Sequence, residues 1–596
     1  MKRLATAELR TIRPRVAWAD RLRCGLVYAL AVAAVAALAA VLVTVAAQAW
    51  PVVGEVGIGE FLLGSNWIPI DFTGSGASFG IANFIAASLA VSLIALIIAF
   101  VVSVGAALFL ACACKPRVRG LLCSFIDLLA GIPSVVYGFV GLTVVVKAFT
   151  DVGLPNGNCV LAAGIVLAVM VVPFMVSTMA ESMIGVRNRY LDASCALGVG
   201  KWHCAYAVVL PVSWRLLWPS VMCAFARAMG ETMAVMMVAG NANVFPSLLG
   251  KGETIASLIA LEMGTAESGS THMHALFAAG FVLLAIVLLV DVAASALQRR
   301  VVARLEGRGV RGGSWALGRA GGVVVRAWAI CGIVCVLGVI AFLFGYVFWQ
   351  GAGCISWEFL TESPSGAVLG TEGGIFPAIM GSAWFTGCAL VIAVPLSLGV
   401  AIWRVFLARR KWPARIVGRV ISVAAGAPSI VMGLFAYAVL VRDAGLGRCV
   451  LAGGVALALM IIPFIEVRAE KAFREFPGDL LAASAALGTS RMYAFRKLVW
   501  PYCAGEVAGA IVLGALYALG AAAPLIFTGG VAFAPVPSGI DSPAMSLPLH
   551  LYLMLAQGNT IPQVYATAFV LMALVLVCNI AVNAYSYIRR ARWSRS

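Results

Sequence analysis

With 596 residues, 62% of them hydrophobic, only 11% charged and a mean hydropathy of +1.02, the chain carries too much apolar surface for a water-soluble globule. Its solvent must be a lipid bilayer, and the net charge of +17 has to be read by where it falls. The basic residues form no single face, which excludes a nucleic-acid binder.

The sequence predicts an all-α polytopic membrane protein. Apolar windows of about 20 residues, enough to cross a ~30 Å hydrocarbon core, fall near 24–47, 83–112, 121–148, 159–183, 212–240 and 275–297. They recur near 323–349, 379–403, 417–441, 449–467, 504–528 and 561–588, giving six plus six, about 12 transmembrane helices. The predicted organisation is a basic arm (1–23), a first half (24–300), a linker (301–322) and a second half (323–596). Of the 42 Lys and Arg, 36 lie in segments 1–23, 113–120, 184–215, 298–320, 404–419, 468–500 and 589–596, which are alternate loops plus both ends. The positive-inside bias therefore predicts both termini in the cytoplasm. The basic arm is followed by no small-residue cleavage site, so the first run reads as a retained span. Fifteen scattered Cys read as small apolar residues rather than a disulfide framework.

In chain order, Pro51 to Gly80 and Gly351 to Pro377 are outer segments, the second carrying Glu358, Glu362 and Glu372. The next spans place Gly105 opposite Gly399, small residues that let helices approach closely. The third spans contain GIPSVVYG (Gly131–Gly138) and GAPSIVMG (Gly426–Gly433). Proline removes a donor and clashes with the preceding turn, so each is read as a break lining an interior, with Ser134 and Ser429 just after it.

The longest inner loops run through Asp192, Ala193, Ser194 and Gly198 to Pro211, and through Ala482, Ala483, Ser484 and Gly488 to Pro501. They read as two short helices hinged at a glycine, presenting a knob to something cytoplasmic. The fifth span of the first half carries Arg227 and Glu231. A charge at membrane depth costs about 2.5–3.5 kcal/mol on insertion scales, so it needs compensation. At i,i+4 on one helix the two can pair, and Arg227 can face a water-filled path and coordinate an anion. Arg227, Glu231, Thr232, Ser134 and Ser429 are the candidate path residues. The second half holds Tyr517 and Ala521 at the charged positions.

Pro173 and Pro463, Gly198 and Gly488, Pro211 and Pro501, and Gly230 and Gly520 are each 290 residues apart. The chain therefore reads as two copies of one membrane unit. His272 and His274 form an HxH without a third ligand, so no metal site is assigned. With four His and no nucleophile or acid–base cluster, the reading is a transport component rather than an enzyme.

The loop pattern, an acidic residue, Ala and a small residue, then glycine and Leu-Pro or Trp-Pro, resembles the coupling-loop motif of permeases from bacterial ATP-binding-cassette importers. GIPSVVYG with ARAMGETMAVMMVAGN resembles one permease subunit of the phosphate-specific importer, and GAPSIVMGLF with ALGAAAPLIFTGG resembles its sister. The two are fused here. The resemblance implies two tandem six-helix importer-type halves around a translocation path. It also implies two cytoplasmic ATPase subunits under the loops, an extracytoplasmic phosphate-binding protein, and an inner-membrane location. The family's intramembrane Arg and Glu map onto Arg227 and Glu231. The second half departs at Tyr517, Ala521 and the loop's first acid, Ala482. No G-x-x-x-x-G-K-[ST] occurs, Gly250-Lys251-Gly252 being the nearest approach. The chain is thus predicted to hold no cofactor, with ATP and Mg on the partner subunits. The alternatives are another oxyanion, or a secondary transporter driven by an ion gradient.

Overall fold

The computed structural model describes residues 18–70, 76–154, 157–196, 198, 200–307, 319–366, 368–408, 410–558 and 561–593. The basic arm is described only from Trp18, and residues 1–17 lie outside the described residues. Among the described residues, 11 helices are long and apolar enough to cross a membrane, or 12 with one bent pair counted as a span.

In the first half, α1 (Trp18–Ala49) and α2 (Ala82–Cys112) are continuous spans. The third span is instead broken into α3 (Pro116–Ala130) and α4 (Ser134–Val140), which continues through a wider turn to Asp151. The residue before a proline is pushed out of the helical region, so α3 stops ahead of Pro133. In hydrocarbon the carbonyls freed at such a break need protein donors; the Tyr137 hydroxyl donates to the Leu129 carbonyl at 2.8 Å. There follow α5 (Val160–Ala196), α6 (Lys201–Cys204), α7 (Leu210–Met229), α8 (Met233–Val238), the short helix α9 (Ile255–Glu262) and α10 (Thr271–Gly307). The fifth span is therefore not continuous over 212–240, because the helix ends at Met229 and restarts at Met233.

The second half repeats the plan: α11 (Arg319–Ala352), α12 (Phe376–Ile402), α13 (Lys411–Gly426), α14 (Ser429–Ala436), α15 (Val450–Arg474), α16 (Gly478–Ala486), α17 (Arg491–Ala494), α18 (Trp500–Leu519), α19 (Leu525–Thr528), α20 (Leu547–Gln557) and α21 (Ile561–Trp593). The helical segments either side of the break at Ala427 and Pro428 are bent by 100°. Here too the fifth span stops short of the window 504–528, at Leu519. Helices α10 and α11 overrun the expected linker 301–322 from both sides.

The repeat extends to individual hydrogen bonds. The Ser88 hydroxyl accepts from Ile255 N at 3.0 Å, and Ser382 accepts from Leu547 N at 2.8 Å, at the starts of α9 and α20. Ser103 and Ser397 donate to Val172 O and Ile462 O on the fourth helix of their own halves.

Each first helix packs on the opposite half: α1 on α12, and α11 on α2. The glycines paired in the sequence are the crossing points. A Cβ on Gly105 would stand 2.8 Å from Trp328 O, and one on Gly399 would stand 2.6 Å from Leu30 Cβ.

The halves meet about a pseudo-two-fold axis. Glu181 and Lys471, 290 residues apart, approach to 3.7 Å between α5 and α15. An element that touches its own repeat must lie on the axis relating them. Lys471 lies in the last turn of α15, whereas Glu181 lies 15 residues before the end of α5. The exposed ion pair itself contributes only about 0–1 kcal/mol. Glu181→Cys with Lys471→Cys is expected to be bridged by a flexible bis-maleimide that spans the two side-chain lengths, giving a cross-linked peptide by mass spectrometry. Cysteines that are each alkylated singly but never bridged would show that the two helices do not meet.

Candidate functional site

The site forms where the four backbone breaks cross the pseudo-two-fold axis. A Cβ at Gly230 would lie 3.2 Å from Pro428 Cα, and one at Gly520 would lie 3.2 Å from Pro133 Cα. Each half's fifth-span break thus rests against the other half's proline break. The backbone repeats closely: Pro133 and Pro428 share φ −59° with ψ 139° and 136°, while Gly230 and Gly520 have φ −87° and −83°.

The side chains do not repeat. Arg227 sits in the last turn of α7 with its Cζ 5.9 Å from the ring centroids of both Phe174 and Tyr517. An aromatic ring from each half therefore lies within cation–π reach of the guanidinium, an attraction worth about 0.5–2 kcal/mol per ring. Tyr517 stacks on Phe464 at 5.7 Å, and Arg468 stands 4.8 Å over Phe464. Although packed across the junction, Tyr517 keeps 38% of its surface uncovered.

Glu231 lies in the break itself, where Gly230 has ended the helix. The predicted i,i+4 ion pair on one helix face does not form: no Arg227–Glu231 contact within 4.0 Å occurs among the described residues. Its carboxylate meets the Ser134 hydroxyl, and Oε1 accepts from Ala234 N at 3.5 Å at the start of α8. Arg227 acts on it only through space. Ser134 is thus brought to the site. Ser429 holds the equivalent place at the start of α14, but position 521 opposite it is alanine. Thr232 is 1% exposed, and its hydroxyl has no hydrogen-bond partner among the described residues.

Both loop glycines adopt the left-handed conformation, Gly198 at φ 74° and Gly488 at φ 72°, and a Cβ at either would meet nothing within 4 Å. In the first half the loop has no separate first helix. Asp192, Ala193 and Ser194 lie in the last turns of the long α5, where Ser194 Oγ donates to Tyr190 O at 2.9 Å. In the second half, Pro477 interrupts the chain and α16 is separate, with Ala482 and Ala483 exposed and Ser484 buried. Ser484 is closed onto Thr489 at 2.5 Å, leaving Leu487 83% exposed at the tip.

The HxH residues diverge: His272 Nε2 meets Glu262 at 2.8 Å, and His274 Nδ1 meets Gln48 O at 2.9 Å. Sequence reasoning missed a second charged cluster. Arg404 Nη1 donates to Glu466 Oε1 at 2.7 Å and Glu470 Oε2 at 2.5 Å, and Arg474 Nε donates to Glu470 Oε1 at 2.7 Å. The signal was the spacing of Glu466, Glu470 and Arg474 at every fourth residue, one face of an apolar helix.

The family described as "Binding-protein-dependent transport system inner membrane component" matches residues 103–303 and again 393–593. The chain belongs to that family. It does so twice over, as the pseudo-two-fold arrangement requires. The probable ABC transporter permease protein YqgH of Bacillus subtilis is 37% identical over 229 residues, 38% of this chain and 72% of that protein. The phosphate transport system permease protein PstC of Xylella fastidiosa is 36% identical over 269 residues, 42% of this chain and 81% of its own length. PstC 1 of Mycobacterium tuberculosis is 37% identical over 265 residues, 39% of this chain and 77% of its own. Each alignment takes up less than half of this chain, so one such permease corresponds to one half of the inner-membrane protein.

Two substitutions probe this member of the family. Arg227→Lys keeps the charge but loses the planar fork, and is expected to lower transport at least tenfold with membrane insertion intact; transport assays beside membrane fractionation check this. Ser134→Ala leaves the Glu231 carboxylate short of a donor, with an expected destabilisation of about 1–3 kcal/mol, read as a lower Tm in detergent.

Proposed function

We propose that the protein is the fused permease of an ATP-driven importer of inorganic phosphate, working by alternating access. One arrangement carries the reading: a guanidinium and a carboxylate held at the crossing of four broken helices, in a chain whose relatives include phosphate transport permeases. Arginine's fork suits the geometry of tetrahedral oxyanions. Phe174 and Tyr517 each lie 5.9 Å from the Arg227 guanidinium carbon, and its N–H groups are the donors for the anion. Glu231, anchored by Ser134, accepts from the protonated oxygen of hydrogen phosphate. Sulfate carries no such proton at neutral pH and meets only repulsion. The second half offers a phenol and a methyl group where the first offers charges, so binding stays weak enough for release.

The energy source sits on other polypeptides. Two ATPase subunits, with ATP and Mg, dock on the cytoplasmic face under Gly198 and Gly488, and the exposed Leu487 enters one of them. A secreted phosphate-binding protein delivers cargo to the outer face, and both termini lie in the cytoplasm. Closure of the ATPases rocks one half against the other, the usual solution for paired repeats.

The chain reconstituted with its ATPases and binding protein should import labelled phosphate with ATP and not sulfate, and Glu231→Gln should reduce that preference. Import of sulfate at an equal rate, or import driven by an ion gradient without ATP, overturns the reading. At the loops, Gly488→Asn suits the left-handed backbone and should retain the ATPases on co-purification. Gly488→Trp should lose them by filling the docking space.

A further inference from the structure

Each half's first helix ends against the other half's loop. At the start of α1, Asp20 is only 9% exposed, with Oδ1 accepting from Arg23 Nη1 at 3.1 Å. Its Oδ2 accepts from Ser490 Oγ at 2.5 Å, across 470 residues of chain. Ser490 follows Gly488 by two residues and is the N-cap of α17, its hydroxyl accepting from Tyr493 N at 3.1 Å. One hydroxyl therefore both starts the helix that leads into α18 and grips a carboxylate on the opposite half. On the other side of the axis the chemistry differs but the placement repeats. Arg326 of α11 stands 5.7 Å over the ring of Trp202 in α6, just after Gly198, and a Cβ on Gly322 would lie 3.0 Å from Tyr206. Helix α1 also packs on α10, the last helix of its own half. A displacement of the second loop is therefore carried through Asp20 and α1 into the first half.

We propose that Asp20 is a positioning residue for transport: with the Arg326–Trp202 contact, its bond to Ser490 is a cross-half latch that makes each loop move the opposite half. The latch rests on the reading of the loops as ATPase seats. A charge-assisted hydrogen bond at a partly buried site is strong enough to transmit such a motion, and its loss lets a loop move without the helix above it.

The test uses the full chain with its ATPases and binding protein in proteoliposomes, reading ATP hydrolysis and phosphate uptake together. Asp20→Ala is expected to retain ATPase co-purification and hydrolysis while uptake per ATP falls roughly tenfold. Combining Asp20→Ser with Ser490→Asp reverses the donor and acceptor and keeps a favoured N-cap; it is expected to restore the ratio to within about twofold. Asp20→Asn, which keeps an acceptor oxygen, serves if the alanine variant does not insert, and should show a smaller loss in the same direction. An unchanged ratio in Asp20→Ala, or a double variant whose losses simply add, overturns the latch while leaving the transport reading standing. A wild-type chain that neither retains the ATPases nor imports phosphate with ATP overturns both.

Discussion

In hydrocarbon a helix can break only where protein satisfies the backbone groups the break sets free, and that requirement organises this molecule. Each half contains two breaks at depth, one before a proline and one after a glycine. The Gly230 break rests on Pro428 and the Gly520 break rests on Pro133, so each half completes the interior of the other. Tyr137 supplies a donor for a freed carbonyl of α3, and Glu231 accepts at the restart of the fifth span. The charges therefore sit where the backbone is already irregular and polar, and where carrying them costs least.

A symmetric backbone carries an unsymmetric set of side chains. Arg227 and Glu231 face Tyr517 and Ala521 at the repeat positions, while the Arg404–Glu466–Glu470 cluster exists in the second half alone, with Leu110 and Val176 at the repeat-related positions. Two identical subunits could not keep such a division, because each change would appear twice. Fusion in one chain ensures that every assembly has one half of each kind. It also makes the crossed packing of α1 and α11 an intramolecular event, at an effective concentration that separate subunits lack.

The first helices give the crossing its mechanical meaning. They lie outside the central breaks, yet each runs from the neighbourhood of one loop to the body of the opposite half. The breaks and the loops are thereby joined through rigid helices, the kind of element along which a displacement can travel.

Much of this was legible in the chain itself. Apolar runs long enough for a bilayer determined the class and nearly all of the spans, and the constant offset of 290 residues determined the repeat, because both are properties of local composition and order. Gly105, Gly399 and the two G-x-P-S segments were readable for the same reason, since a missing side chain or a missing donor acts where it stands. What tertiary structure alone decided was partnership. The i,i+4 spacing of Arg227 and Glu231 suggested a pair on one helix, but Gly230 ended that helix, Ser134 took the carboxylate, and Phe174 and Tyr517 took the guanidinium. Tyr517 lies 290 residues from Arg227, and Ser490 lies 470 from Asp20, so nothing in their local sequence could declare the contact. Which side chain a charge meets at depth depends on how the halves close around their axis, and that is settled only when the helices pack.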